Sequence, residues 1–200
     1  MIAIIDYGAG NIFSVKNALD YLGVENKLTA DKNEICAADE IILPGVGAFP
    51  WAMKMLRDSG LVDTIREEAR KKPFLGICLG MQLIFDKGYE FEETDGLRLI
   101  GGKVEKIDRK DMIIPHMGWN ELEINRDCPI LKGLPEHPYV YFVHSYAAVC
   151  DDANVSAYCD YGGKITALVH DGAYVYGAQC HPEKSGEVGL QMLRNFAELA

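Results

Sequence analysis

Basic residues are the scarce class in this 200-residue chain, where 20 Lys and Arg stand against 30 Asp and Glu for a formal net charge of −10. The deficit is even: the first hundred positions hold 11 basic residues against 16 acidic, and the second hundred 9 against 14. Nucleic acid and anionic membrane surfaces both demand a basic face, so neither is an expected partner. The opening apolar stretch is also short. It has no basic flank and stops at Asp6 after five residues, too few for a signal sequence or a membrane span, which makes the cytoplasm the expected location. Paired cysteine motifs are missing. Cys36, Cys78, Cys128, Cys150, Cys159 and Cys180 are scattered with no C-x-x-C, in a chain long enough to need no cross-links, so they read as thiols. A glycosylation sequon at Asn154-Val155-Ser156 then has no meaning. Neither H-E-x-x-H nor a Cys/His ligand spacing occurs, and no metal is expected. Two near-motifs also fail. Gly8-Ala9-Gly10 has Phe13 where a dinucleotide fingerprint needs its third glycine, and Gly102-Lys103 is followed by Val104 where a P-loop needs Ser or Thr.

What is present is globular. Hydrophobic residues make up 48% and charged residues 25%, with no repeat, low-complexity segment or linker, so a single domain over residues 1–200 is expected. Residues 1–6 read as a strand, and Ile12, Val15, Ala18, Leu19 and Leu22 recur at helical spacing before Gly23. Ile41-Ile42-Leu43 and residues 74–77 read as further buried strands, with helical patterns over 52–57, 61–71 and 79–86. This alternation predicts an α/β fold with three layers, a mostly parallel central sheet flanked by helices. From Arg98 onward β-formers dominate, over 139–143, 155–161, 165–170 and 173–179, until a final helix over 187–199. The second half is therefore β-rich.

Gly76-Ile77-Cys78-Leu79-Gly80 lies where an expected strand meets an expected helix. It has the logic of the nucleophile elbow, with a thiol in place of the serine hydroxyl. The glycines remove Cβ atoms that would clash in the sharp turn, the helix end favours thiolate at Cys78, and the N–H of Leu79 is placed to stabilise an oxyanion. A cysteine nucleophile needs an imidazole to move its proton and a third group to orient the imidazole. His181-Pro182-Glu183 supplies both, because Pro182 biases His181 to extended geometry and positions i and i+2 then share a side. His116, His137 and His144 have no adjacent acid in register, and His170 precedes an Asp171-Gly172 turn. A second oxyanion donor must come from another loop at the same sheet edge, and Pro44-Gly45-Val46-Gly47 qualifies, with a plain tight turn as the alternative.

Gly76-Ile77-Cys78-Leu79-Gly80-Met81-Gln82 and His181-Pro182-Glu183-Lys184-Ser185 resemble the signatures of class I, triad-type glutamine amidotransferases. Asp6-Tyr7-Gly8-Ala9-Gly10-Asn11, Pro44-Gly45-Val46-Gly47, Pro115-His116-Met117-Gly118-Trp119-Asn120 and Tyr141-Phe142-Val143-His144-Ser145-Tyr146 resemble, within that family, the glutaminase subunits that serve a cyclase in histidine biosynthesis. The resemblance spans essentially the whole chain. It implies a glutaminase in which Cys78 forms a thioester with the glutamine side chain, His181 transfers protons and Glu183 orients His181. Leu79, Val46 and Gly47 would form the oxyanion hole. Gln82, Glu90, Ser145 and Tyr146 would hold glutamine, Glu90 being one of four acids in residues 85–93. No cofactor is implied. The implied partner is a cyclase subunit, a (β/α)8 barrel joined in a heterodimer, which receives the ammonia; Asn11, His116, Met117, Trp119, Asn120 and Lys184 are the interface candidates. Cys180 stands where the family usually has an aromatic residue and by alternation points away from His181, into the core. Other readings stay open: another class I amidotransferase subunit, a stand-alone cysteine hydrolase acting on peptides or γ-glutamyl compounds, and a binding subunit with a dead triad.

Overall fold

A computed structural model describes residues 1–199; Ala200, the last position of the expected domain, lies outside the described residues. In chain order the elements are β1 (Ile2–Ile5), α1 (Ile12–Tyr21), β2 (Asn26–Thr29), α2 (Lys32–Ala37), β3 (Glu40–Gly45), α3 (Phe49–Asp58), α4 (Val62–Glu68), β4 (Phe74–Cys78) and α5 (Leu79–Leu83). There follow β5 (Lys87–Gly88), β6 (Thr94–Asp95), β7 (Gly102–Lys106), β8 (His116–Glu121), β9 (Glu123–Ile124), β10 (Tyr139–His144), β11 (Tyr146–Cys150), β12 (Val155–Asp160), β13 (Lys164–His170), β14 (Val175–Ala178) and α6 (Gly186–Ala197).

Eight strands form the central sheet in the order β2-β1-β3-β4-β14-β13-β12-β9. The pairings from β2 to β14 are parallel and those from β14 to β9 antiparallel. Strand alternation divides the apolar side chains between two cores. Ile2 and Ile4 of β1, Ile42 of β3 and Ile77 of β4 pack with Val15 and Leu19 of α1 and Phe196 of α6. Ile5, Ile41, Leu43 and Phe74 face the other way, onto Ile35, Leu56 and Ile65 of α2, α3 and α4. The result is helix, sheet, helix, as the hydrophobic runs of a two-sided sheet require. Two smaller sheets, β10-β8 and β11-β7-β5-β6, complete the β-rich half.

Three expectations change. The helix expected over 79–86 stops at Leu83, where tight 3₁₀-type bonds from the Ile84 and Phe85 amides close the chain. His116–Glu121, which none of the expected elements covered, is strand β8, paired with β10 from Tyr139 opposite Glu121 to His144 opposite His116. Polar β2 and six-residue α2 were not expected. Asp31 caps α2 by accepting from the Asn33 and Glu34 amides.

Candidate active site

Strands β3, β4 and β14 are neighbours in the sheet, and all three run to the same edge, where Gly45, Cys78 and the segment leading to His181 emerge together. Crevices at the carboxyl ends of such strands are the usual ligand sites of open α/β sheets. At Cys78 the backbone takes φ +54°, a left-handed conformation rare for a residue with a side chain. The flanking glycines make that turn possible. A Cβ on Gly76 would stand 2.5 Å from the Gly80 carbonyl oxygen, and one on Gly80 would stand 1.8 Å from that of Leu43. The second contact also explains how tightly α5 sits on β3.

His181 and Glu183 are almost sealed, with side chains 2% and 1% exposed, and Nδ1 of His181 lies 2.8 Å from Oε1 of Glu183. The carboxylate oxygen can only accept, so Nδ1 carries a hydrogen. Nε2 is buried without a hydrogen-bond partner in the resting site, with the Cys78 thiol in its reach. Burial works to lower the His181 pKa, but the neighbouring Cys78 and the hydrogen-bonded Glu183 carboxylate outweigh it and raise the imidazole to about 9. Ser185 locks the segment in place: its hydroxyl donates to the His181 carbonyl at 2.6 Å and accepts from the Tyr141 amide at 3.0 Å. Cys180 is fully buried, and burial holds its thiol well above the usual range, which leaves it an inert core residue.

A cavity of about 290 Å³ opens over Cys78. Its wall includes Cys78, His181, Leu79, Val46, Gly47, Gln82, Glu90, Ser145 and Tyr146, so every candidate for nucleophile, base, oxyanion hole and substrate contact meets in one place, with Glu183 behind His181. The wall also contains Pro115, Val143 and His144, which were not expected there. Of the four acids in 85–93, Glu90 alone lines the cavity; its Oε2 accepts from the Phe49 amide at the start of α3, at 2.8 Å. Asp86 instead accepts from the Gly102 amide, and Glu93 pairs with Lys87.

The class I glutamine amidotransferase family model matches residues 3–199. The chain belongs to this family. This amidotransferase is 51% identical over 197 residues to the imidazole glycerol phosphate synthase subunit HisH of Bacillus cereus (strain G9842), covering 98% of this chain and 93% of that protein. It is 50% identical over the same length to the subunit of that name from Bacillus anthracis. Among solved structures, a glutamine amidotransferase superposes with TM-score 0.77 at 22% identity, over 100% of this chain and 98% of the other. PurLQS from Thermotoga maritima superposes with TM-score 0.75 at 22% identity, over 98% and 96%.

The amidotransferase divides the interface candidates into two groups. On β8, alternation turns Met117 and Trp119 outward, 59% and 53% exposed, so neither is a core residue. The alternate positions turn inward, which corrects the assignment of His116 to the surface. His116 is fully buried, stacked between Phe142 and Tyr161, with Nδ1 2.9 Å from His144 Nε2 and Nε2 2.7 Å from the Asn120 amide oxygen. Asn120 spends its amide on His116 and the Asp160 carbonyl, so it too faces inward. Lys184 is exposed, and Asn11 is half-buried at the start of α1, accepting from the Ser14 hydroxyl. His137 does find an acid, Glu121, at 2.6 Å, where the chain approaches the start of β10 beside the end of β8. Sequence reasoning missed Gln179, which is fully buried with Nε2 3.9 Å from Cys78 Sγ. The same i, i+2 alternation that found Glu183 from His181 points back to Gln179. Among the described residues no group of three or more His, Cys, Asp or Glu could hold a metal ion, and no helix is long and apolar enough to cross a membrane.

Proposed function

We propose that this chain is the glutamine-hydrolysing subunit of an imidazole glycerol phosphate synthase, a single cytoplasmic domain working in a heterodimer with a (β/α)8-barrel cyclase. The observation that carries the reading is the meeting of Cys78, the His181–Glu183 pair and the glutamine-binding candidates around one amino-acid-sized cavity. In the proposed reaction the Cys78 thiolate attacks the side-chain amide carbon of glutamine, and the carbonyl electrons move to oxygen. The N–H groups of Leu79 and of the Val46–Gly47 loop hold that oxyanion. Its collapse expels the amide nitrogen, which takes the proton of His181 Nε2 and leaves as ammonia. Nε2 then removes a proton from water, the hydroxide adds to the γ-glutamyl thioester, and cleavage of the C–S bond gives glutamate and restores the thiolate. Glu183 acts through His181, fixing Nδ1–H and stabilising the imidazolium. Every step uses groups of this chain and none calls for a cofactor.

Free ammonia protonates and diffuses away in water, so the cyclase should cover the cavity mouth. The surface beside that mouth suits a partner. Val143 lines the cavity and pairs with exposed Met117, and Tyr141 pairs with exposed Trp119, so an apolar strip runs outward from the site. An exposed apolar patch of this kind marks a protein contact. The test is co-purification of this chain with a barrel cyclase, followed by assay of glutamate release. The proposal expects the partner and its substrate to stimulate release; an unstimulated activity on larger γ-glutamyl compounds would place the chain among stand-alone hydrolases.

A further inference from the structure

The triad leaves Gln179, a buried polar side chain beside the nucleophile, without a role. Gln179 follows β14, and because Ala178 lies opposite Ile77 across the parallel pair, Gln179 comes beside Cys78. Its orientation is not free. The Tyr146 carbonyl can only accept, so the Gln82 atom facing it at 2.9 Å is Nε2. The second hydrogen on that nitrogen points to Gln179 at 3.0 Å, so the atom it meets there is Oε1. Nε2 of Gln179 is thereby turned to the other side, 3.9 Å from Cys78 Sγ. A backbone carbonyl thus settles the Gln82 amide directly and the Gln179 amide through it.

We propose that Gln179 acts on the nucleophile: its amide donates to Cys78 Sγ, favours thiolate over thiol, and holds the sulfur where it attacks the amide carbon. A thiolate is a far better acceptor than a thiol, so this bond strengthens when the proton moves to His181. A neutral donor is also the right kind of group for the position. A second cation there would oppose protonation of His181, which must donate to the leaving ammonia, whereas an amide stabilises the sulfur without that cost. The same Tyr146 carbonyl accepts from His144 Nδ1 at 2.8 Å, so the anchor is held from β10 as well as from α5.

The inference rests on the glutaminase reading, and its test uses no glutamine in its first arm. Gln179→Met keeps the length and removes the donor; Gln179→Glu keeps the shape and puts a carboxylate oxygen against the sulfur. The pH dependence of Cys78 alkylation by iodoacetamide, read by peptide mass mapping on the folded chain, should shift upward by about one pH unit in the Met variant, a tenfold loss of thiolate at fixed pH. The Glu variant should shift further, and Gln82→Met, which frees Gln179 to turn, should shift in the same direction. In the complex, Gln179→Met should lower kcat for glutamine about tenfold with KM within about threefold. The wild-type chain gives a check that needs no variant: the Gln179 side-chain amide resonances should titrate with the midpoint of Cys78 alkylation. Superimposed alkylation profiles for wild type and Gln179→Met, or amide resonances blind to that titration, would overturn the proposal. A wild-type Cys78 that labels no faster than exposed Cys36 would instead overturn the glutaminase reading beneath it.

Discussion

Glu183→Gln isolates the charge behind His181 from everything else in the site. The variant's side-chain oxygen can still accept from Nδ1–H, so the ring keeps its tautomer and position, while the negative charge is lost from a group whose side chain is 1% exposed. A hydrogen bond to a charged partner contributes roughly 1.5–3 kcal/mol. At about 1.36 kcal/mol per decade of rate, removing the charge should lower kcat about 10- to 150-fold. Binding should hardly change, because Glu183 does not line the cavity. The charge of Glu183 also helps raise His181 to about 9, so its loss should move the basic limb of the pH–rate profile to lower pH. The assay is glutamate release by the assembled complex over pH 6 to about 10, with kcat and KM resolved. A variant that raises KM tenfold or more at unchanged kcat would refute the assignment of Glu183 as an orienting group.

Other consequences follow from single contacts. Gly80→Ala puts a Cβ 1.8 Å from the Leu43 carbonyl oxygen; it should cost about 3 kcal/mol or more, read as a melting point lower by roughly 6–12 °C, and an unchanged melting point would show that β3 and α5 can separate. Burial pushes His144 down to about 4, so between about 6.5 and 4 the unfolded chain binds a proton that the folded chain refuses. Stability should fall through that window by about 3 kcal/mol on account of this group. Urea titrations at pH 7 and 4.5 should find a smaller fall in His144→Asn, and equal falls would count against a buried neutral ring. Trp119→Ala removes a half-exposed side chain and should change stability by no more than about 0.5 kcal/mol, while weakening partner stimulation of glutamate release; full stimulation would move the interface elsewhere.

The parallel half of the sheet was legible because its strands are buried on both faces and read as continuous apolar runs, as in Ile41-Ile42-Leu43. Strand β2 was hidden by its composition, since Asn26 and Lys27 lie at the sheet's edge where one face is wet. Helix α2 is shorter than two turns and shows too little periodicity, although its Asp31 cap was visible. In β8 the proline and glycine of Pro115-His116-Met117-Gly118 masked a strand whose alternation, once seen, separates outward Met117 and Trp119 from inward His116 and Asn120. The catalytic candidates were easier to find than this surface. Glycines at Gly76 and Gly80 answer a steric demand that has few other solutions, whereas the inward turn of His116 depends on a partner strand more than twenty residues away. Gln179 was missed because its residue type does not announce chemistry; the alternation back from His181 places it beside Cys78, but the partner that orients it, Gln82, lies 97 positions earlier.

The central claim is that this chain makes ammonia and the cyclase consumes it, and Cys78→Ala tests it most directly. In the assembled complex that substitution should abolish glutamine-dependent product formation, because the thioester cannot form. High ammonium salt at alkaline pH, where more free ammonia is present to enter the cyclase directly, should restore product formation to the level the wild-type complex reaches with ammonia. If a folded, assembled Cys78→Ala complex fails with ammonia as well, Cys78 takes part in cyclisation itself, and the division of labour proposed for the two subunits is wrong.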